Sequence, residues 1–253
     1  MSGGQRREFS GDIARRAFDT VAAIQRVRDL AELDATVKKS FEAIGFHTFV
    51  GYDSVTARGE PRVNVLFGQT DSPWARHYLA NHFDQHDVMI RASRSATEPF
   101  FWSDVTERLS LTSEEQRVMN EAANFRLREG FIVPTRNLDG SITNVMLGGE
   151  HIDPRDPDLR AAAHLMAVYF GAVGRRLHRA RADNMFPRPR LTQRQLDCLR
   201  WVREGKSAND IGCIIGISQR TVEYHLAVAC ARLGVRTRTQ AVAEAAVHNL
   251  IDL

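Results

Sequence analysis

A pair of prolines constrains this chain more than any other feature. Pro187 and Pro189 lie close together in the segment 184–190. Proline has no backbone N–H and restricts the residue before it, so a helix that arrives from the N-terminal side ends there. The chain has 253 residues, which is enough for two domains of ordinary size. We therefore predict a first domain over residues 1–183, a linker over 184–190 and a second domain over 191–253.

The first domain combines helical and strand-like patterns. Apolar residues spaced by three or four predict helices, and β-branched and aromatic runs predict strands. Helices are expected over 12–28, 31–44, 72–83, 113–126 and 156–182, and strands over 48–52, 62–67, 130–137 and 142–149. Asp139-Gly140 favours a hairpin turn between the last two strands. This order predicts an α+β fold with an antiparallel sheet covered on both faces.

The second domain is predicted to be entirely helical. Thr192, Ser207 and Ser218 are suitable N-cap residues for three of its helices. The four helices are expected over 193–203, 208–215, 219–233 and 239–248. A tight turn at Gly216-Ile217 joins the second helix to the third, which is the arrangement of a helix-turn-helix, expected here from Ala208 to Ala227.

The positive charge of the chain is concentrated in this second domain. Residues 184–253 contain ten Lys or Arg and six Asp or Glu, whereas residues 1–183 contain the remaining 24 of 34 basic and 25 of 31 acidic residues. A basic domain favours a polyanion as partner. Together with the helix-turn-helix pattern, the charge indicates double-stranded DNA.

The third helix of this domain, 219–233, suits the major groove, which is about 12 Å wide and accepts one helix. Val222, Leu226 and Leu233 share one apolar face. The residues predicted to face DNA lie at its start and on its opposite face: Ser218, Gln219, Arg220, Thr221, Glu223, Tyr224 and Ala227. Basic residues placed to contact phosphates are Arg200, Lys206, Arg232, Arg236 and Arg238.

The whole run of residues 191–251 resembles the LuxR-type helix-turn-helix. The resemblance rests on Leu191-Thr192-Gln193-Arg194-Gln195, Glu204-Gly205-Lys206-Ser207, Gly216-Ile217-Ser218, Arg220-Thr221-Val222 and Arg238-Thr239-Gln240-Ala241-Val242. Gln195 stands where that family usually has Glu. Glu223 and Ala227 occupy positions that are often basic in related regulators. The resemblance implies a DNA-binding transcription regulator. The two departures on the third helix imply that its operator sequence differs from those of related regulators.

Residues 30–175 resemble the autoinducer-binding domain of quorum-sensing LuxR regulators. Trp74, Tyr78, Asp87, Trp102 and Gly130 follow in that family's order and spacing. The resemblance implies an α/β/α sandwich that encloses an N-acyl homoserine lactone. The protein would then be a quorum-sensing regulator that holds its signal in the first domain and promoter DNA in the second.

The resemblance also implies a role for each residue around the lactone. Trp74 would donate its indole N–H to the lactone carbonyl, Tyr78 its hydroxyl to the amide carbonyl, and ionised Asp87 would accept the amide N–H. Trp102 would pack flat against the lactone ring. The acyl wall is predicted from Ile90, Phe100, Phe101 and Phe125, and Gly130 and Met146 complete the set. The phenylalanines are compatible with a branched or aryl acyl group.

Three positions depart from the pattern of that domain. Val88 follows Asp87 where the family commonly has Pro, Arg126 replaces a frequent Gly, and Met146 occupies a strand position that often carries a hydroxyl. The identity of the acyl group therefore stays open. So does the alternative of an orphan LuxR-type regulator that binds DNA without a lactone.

Other classes of protein fit the sequence less well. His77, His82, His86 and Asp87 form a cluster, but the spacing of HxHxDH or HExxH is absent, so we expect neither a metal nor an enzyme. A phosphorylated receiver domain would need an acidic pair near the start of the chain, where Asp12 is isolated. No cofactor is expected.

Assembly and compartment follow from more general features. A single short recognition helix reads few base pairs, so we expect a homodimer on an inverted-repeat operator. Candidate contact residues lie in the two helices that end the domains: Leu165, Val168, Val173, Val242 and Val247. The polar start of the chain and the lack of long apolar runs predict a cytoplasmic protein with no membrane partner. Three widely spaced cysteines are expected to be small buried side chains.

Overall fold

In a computed structural model of the protein, the chain divides into two units, Met1–Arg181 and Ala182–Leu253. The structure describes residues 3–57, 60–137, 141–185, 190–248 and 250–252, and side-chain surroundings for these except 3–10, 55–57, 60–62 and 182–185. Most of the predicted linker (186–189) and the predicted turn residues 138–140 lie outside the described residues.

A five-stranded antiparallel sheet forms the centre of the first unit. Its strands are β1 (Thr48–Ala57), β2 (Glu60–Gly68), β3 (Phe100–Phe101), β4 (Glu129–Arg136) and β5 (Ile142–Gly149), in the order β2-β1-β5-β4-β3. The neighbouring strands pair antiparallel throughout, and β4 and β5 flank the predicted hairpin turn. The predicted antiparallel sheet is confirmed.

Helices cover both faces of this sheet, as predicted. The helices are α1 (Gly3–Ile24), α2 (Leu30–Ala43), α3 (Pro73–Ala80), α4 (Val88–Ser95), α5 (Trp102–Thr106), α6 (Ser113–Asn124) and α7 (Pro157–Met185). Apolar residues of α1, α2 and α7 form one core with one sheet face, where Phe170 stacks edge-on against Phe41, Phe49 and Phe67. A second core forms on the opposite face under α3 to α6.

Three short elements between α3 and α6 were not predicted: α4, β3 and α5. Each is eight residues long or shorter, and so gives little apolar periodicity. The helix predicted over 72–83 ends at Ala80, because Asn81 caps it and His82 takes a left-handed backbone conformation with φ 53°. A short 3₁₀ helix, Phe83–Gln85, follows.

The second unit consists of α8 (Gln193–Arg203), α9 (Ala208–Ile215), α10 (Gln219–Leu233) and α11 (Arg238–Val247). The predicted caps are confirmed, since the side chains of Thr192, Ser207 and Ser218 each accept from a backbone N–H in the first turn that follows. Gly216 ends α9 with φ 71°, a conformation that glycine adopts without strain. The four-helix arrangement with a helix-turn-helix is therefore confirmed.

Two expectations about burial were wrong. Val173 was expected at an intersubunit contact, but it is 8% exposed and packs in the core under α7. Cys213 was expected to be buried, but it lies exposed on α9, whereas Cys198 is buried and Cys230 half-buried. Among the described residues, no helix is both long and apolar enough to cross a membrane.

Candidate functional site

A cavity lies in the second core, between the sheet and the helices α3, α4 and α6. Its volume is about 90 Å³, well below the roughly 300–1,000 Å³ of a ligand pocket for a drug-sized molecule. The strands contribute an apolar floor because alternate residues point to this face: Val50, Tyr52, Val63, Val65, Ile132 and Met146. The helices add Leu79, Met89, Val118, Met119 and Ala122.

Five of the predicted ligand residues meet in this lining. Trp74 and Tyr78 lie on adjacent turns of α3. Their ring centroids are 5.5 Å apart, in an edge-to-face arrangement. Asp87 and Trp102 also line the cavity, as does Met146. The sequence spacing that suggested a common site thus corresponds to a common location in the fold.

The Asp87 carboxylate accepts hydrogen bonds from a side chain and from the backbone. One carboxylate oxygen, Oδ1, accepts from the Met89 backbone N–H at 2.8 Å, which caps α4, and the other, Oδ2, accepts from the Tyr78 hydroxyl at 2.8 Å. Two carboxylate oxygens offer about four acceptor sites, so Asp87 keeps the capacity for a further donor. Tyr78, which has a single hydroxyl proton, would have to release Asp87 in order to donate to an amide carbonyl.

Burial dominates the electrostatics of this group. Desolvation raises the pKa of Asp87, although the hydrogen bond from Tyr78 and those from the backbone oppose that shift. Burial and the nearby Asp87 carboxylate raise the pKa of Tyr78 well above its usual range, and the same two causes raise that of Tyr52. Both tyrosines therefore remain neutral hydroxyl groups at physiological pH.

Trp102 and Gly130 are in close contact. A Cβ on Gly130 would lie 2.3 Å from the indole of Trp102, so only glycine leaves room for this ring. The Trp102 indole nitrogen is buried and has no hydrogen-bond partner among the described residues. Gly130 thus acts through the position of Trp102 and does not line the cavity, and Trp102 offers an indole N–H as well as a ring face.

The four residues predicted for the acyl wall do not line this cavity, whose lining is mainly aliphatic. Phe101 points to the other side of the sheet, where its ring packs 4.7 Å from that of Phe131. Phe100 and Ile90 belong to the second core but not to the cavity lining. Phe125 lies outside the cavity and packs against Trp74, with ring centroids 5.4 Å apart.

Most of the residues that form the floor of the cavity were not identified from the sequence. Val50 and Tyr52 alternate along β1, which indicates a shared face but not what that face covers. The same holds for Ile132 on β4, whereas Met146 on β5 was predicted. Thr48, Gln69 and Ser72 add polar groups to the lining, and they continue into a shallower depression beside Trp74.

The histidine cluster does not form a metal site. No group of three or more His, Cys, Asp or Glu side chains that could hold an ion occurs in the part of the chain that the structure describes. His82 precedes the 3₁₀ helix in a left-handed conformation, so the i, i+4 helical pair with His86 does not form. His77 instead contacts Glu121 on α6, with 2.6 Å between Nε2 and Oε2.

In the second unit, α10 presents the side chains predicted to face DNA. Val222, Leu226 and Leu233 are buried in the core, and Gln219, Arg220, Glu223, Tyr224 and Ala227 are exposed. Glu223 accepts from the Gln219 amide at 2.8 Å. Ser218 and Thr221 contact each other at the N-terminus of α10, where the free N–H groups favour an anion.

The basic residues around α10 differ in what they contact. Lys206, Arg236 and Arg238 are exposed. Arg200 pairs with Asp197 at 3.1 Å. Arg232 donates to the Arg190 carbonyl at 2.7 Å and to the Gln195 side chain at 3.2 Å, so it ties α10 to the start of α8. Its predicted phosphate contact would compete with these two bonds.

Comparison with known proteins covers both units. The family described as "Autoinducer binding domain" matches residues 29–173, and the family described as "Bacterial regulatory proteins, luxR family" matches residues 189–245. Transcriptional activator protein BjaR1 of Bradyrhizobium diazoefficiens is 35% identical over 246 residues, which cover 95% of this chain and 98% of that protein. The quorum sensing-dependent transcriptional regulator RpaR of Rhodopseudomonas palustris is 33% identical, over 94% and 96%.

Solved structures share the fold. SdiA in complex with octanoyl-rac-glycerol superposes with a TM-score of 0.74 at 19% identity, over 94% of this chain and 96% of that chain. The crystal structure of Escherichia coli SdiA gives a TM-score of 0.73 at 19% identity, over 93% and 97%. Both of them support the architecture described above.

Proposed function

The chain belongs to the LuxR family of quorum-sensing transcription regulators, and we propose that its first unit, which we assign to residues 1–183, binds a homoserine lactone with an acyl or aryl side chain. Members of this family bind DNA and an autoinducer, and they are not enzymes. The observation that carries the proposal is the Asp87 carboxylate, which is desolvated beside an apolar cavity together with Tyr78 and Trp74.

The chemistry of a homoserine lactone matches this lining. Its amide N–H needs an acceptor and its two carbonyls need donors, while the rest of the molecule is apolar. Asp87 is an acceptor when ionised, and Tyr78 and the indoles of Trp74 and Trp102 are donors. The aliphatic floor suits the acyl group.

The small volume of the cavity couples binding to stability. The cavity, of about 90 Å³, is enclosed by side chains of the second core, against which a bound lactone would pack. The ligand then replaces contacts between side chains and completes the second core. A molecule that binds only the folded state stabilises it by linkage.

The test is thermal unfolding of the full-length protein with a panel of acyl- and aryl-homoserine lactones. We expect at least one lactone to raise Tm by several degrees. Tyr78→Phe, which keeps the ring, should reduce the shift, and Asp87→Ala should abolish it. Asp19→Ala, at an exposed position on α1, is the control and should respond like the wild type.

The outcome also decides the alternative function. Folded protein that binds DNA but is stabilised by no lactone would contradict the proposal. The chain would then be an orphan regulator of the same family.

We further propose that a homodimer reads an inverted repeat through α10, using the exposed residues from Ser218 to Ala227. Two half-sites about 34 Å apart, one turn of DNA, would match two recognition helices. Glu223 can accept from cytosine N4. In a selection of bound sequences from a random pool, Glu223→Ala should relax the preference at one base pair of each half-site. An unchanged preference would remove Glu223 from base recognition.

A further inference from the structure

Asn144 on β5 is a fully buried amide that the protein satisfies only in part. Its Nδ2 donates to the Ser54 hydroxyl on β1 at 2.9 Å. Its Oδ1 is buried and has no hydrogen-bond partner among the described residues. Exchanging the amide oxygen and nitrogen would not solve this, because Nδ2 would then be left unpaired. A buried polar atom without a partner is destabilising, so its presence calls for an explanation.

The position of Asn144 places this amide beside the cavity. Along a strand, alternate side chains point to the same face, so Asn144 shares a face with Met146, which lines the cavity. Its partner across β1 is Tyr52, another lining residue. Thr143, the preceding residue, points to the opposite face and contacts Asp53 and Arg175.

The amide lies beyond the lined part of the cavity, toward the start of β5. Two residues along a strand correspond to about 7 Å, the distance from Met146 to Asn144. Tyr52 connects the two regions, since it lines the cavity together with Asp87 and pairs with Asn144 in the sheet. A ligand whose amide is held at Asp87 would therefore direct its acyl group past Tyr52 toward Asn144.

We propose that the lactone bound by this protein carries a hydroxyl group at the distal end of its acyl or aryl group, and that Asn144 binds this hydroxyl. This inference rests on the proposed function. A hydroxyl can donate to Oδ1 of Asn144 when Nδ2 faces Ser54. If the amide oxygen and nitrogen are exchanged, the hydroxyl can accept from Nδ2 instead. An unsubstituted alkyl or phenyl end would contact Asn144 without pairing its Oδ1. Asn144 is thus a specificity-determining residue for the far end of the ligand.

The experiment compares matched pairs of lactones on the full-length protein. One pair is hexanoyl- and omega-hydroxyhexanoyl-homoserine lactone, and the other is phenylpropanoyl- and para-hydroxyphenylpropanoyl-homoserine lactone. For each compound, the concentration that gives half of the maximal Tm shift is measured. We expect the hydroxylated member of at least one pair to bind about tenfold more tightly.

The variant Asn144→Leu has a similar volume and no polar atom. It should remove the preference or reverse it, while the plain member of the pair still raises Tm. Leu109→Met, at an exposed position that does not line the cavity, is the control and should keep the preference.

The outcomes separate this inference from the proposed function. Equal binding of both members in the wild type would overturn the role of Asn144 without affecting lactone binding, and this comparison holds even if Asn144→Leu does not fold. A preference that persists in Asn144→Leu would place the hydroxyl elsewhere and also overturn it. Stabilisation by other lactones of the panel but by none of these four would overturn the role of Asn144 alone. No stabilisation by any lactone of the panel, in protein that binds DNA, would contradict the proposed function itself.

Discussion

At the scale of single residues, several side chains of the site already stabilise the fold. Asp87 caps α4 and accepts from Tyr78, so a residue proposed to bind ligand also fixes the start of a helix. Arg126, where the family frequently has glycine, has φ 63°, the left-handed region that glycine favours. The backbone requirement explains that preference, and no ligand contact is needed to account for it.

Gly130 offers a test of positioning at the residue scale. Gly130→Ala would bring a methyl group within 2.3 Å of the Trp102 indole, and overpacking of this kind costs about 1–3 kcal/mol. We expect the displaced ring to reduce the lactone-induced rise in Tm. Gly11→Ala, where a Cβ meets nothing within 4 Å, is the matched control. If the Gly130 variant kept the wild-type ligand response, Trp102 would not be part of the site.

Asp34 on α2 predicts a pH dependence of stability. Its Oδ1 is enclosed without a partner among the described residues, and desolvation raises the pKa of the carboxyl to about 6. The unfolded chain has a pKa of about 3.9. Between these values the folded state binds more protons, so the free energy of unfolding should fall as the pH rises from about 4 to 6.

Asp34→Asn should remove this contribution. Because the side chain is partly exposed, solvent screening limits the effect, and we expect about 1 kcal/mol of stabilisation at pH 7 and little difference from wild type below pH 4. Urea unfolding at a series of pH values measures it. Glu98→Gln, at an exposed position, should follow the wild type at every pH, and an Asn variant that did the same would refute the role of Asp34.

At the scale of elements, capping residues define the second unit. Thr192, Ser207 and Thr237 each begin a helix with a reciprocal capping box. The box of α8 has an additional function, because its Gln195 side chain is buried and also accepts from Arg232 of α10. Gln195 therefore connects the start of α8 with the recognition helix.

Gln195→Glu should strengthen that connection. A carboxylate would accept the same two N–H donors, and the bond from Arg232 would become charge-assisted. We expect Tm to rise by a few degrees, corresponding to about 1 kcal/mol. Gln240→Glu is the matched control, since in the described part of the chain Gln240 has the same capping role on α11 and its side chain accepts only from backbone N–H groups. Equal changes in both variants would assign the gain to capping alone.

At the scale of the whole molecule, the proposed homodimer depends on exposed apolar residues. Val168 on α7 is 41% exposed and Val247 on α11 is 64% exposed, whereas Val173 is buried and cannot contribute. Two such positions, one in each unit, are compatible with contacts between subunits through both units.

Val168→Glu and Val247→Glu should weaken the dimer, because a charge in an apolar contact must be desolvated. Sedimentation velocity in the presence of a stabilising lactone would show a shift toward monomer with an unchanged Tm of the monomer. Leu109→Glu, at a position 44% exposed outside α7 and α11, should leave the dimer intact. A wild-type protein that sediments as a monomer with ligand and with DNA would contradict the dimer.

Local signals were sufficient to predict much of this protein. Helix caps, apolar periodicity and turn glycines involve residues only a few positions apart. The sequence therefore predicted the helices of the second unit and most helices and strands of the first. The resemblance carried by Trp74, Tyr78 and Asp87 also implied a common site. The short elements between α3 and α6 escaped because they have too few residues for a period.

Only the tertiary structure decided what each face of the sheet covers. Phe100 and Phe101 are adjacent and equally apolar, yet they belong to opposite cores. Asn144 meets Ser54 across 90 residues of sequence, and Phe67 fits between Gly51 and Gly174 because neither has a side chain. Alternation along a strand reveals two faces, but strand pairing and helix packing determine which face encloses the cavity, and those depend on contacts far apart in the chain.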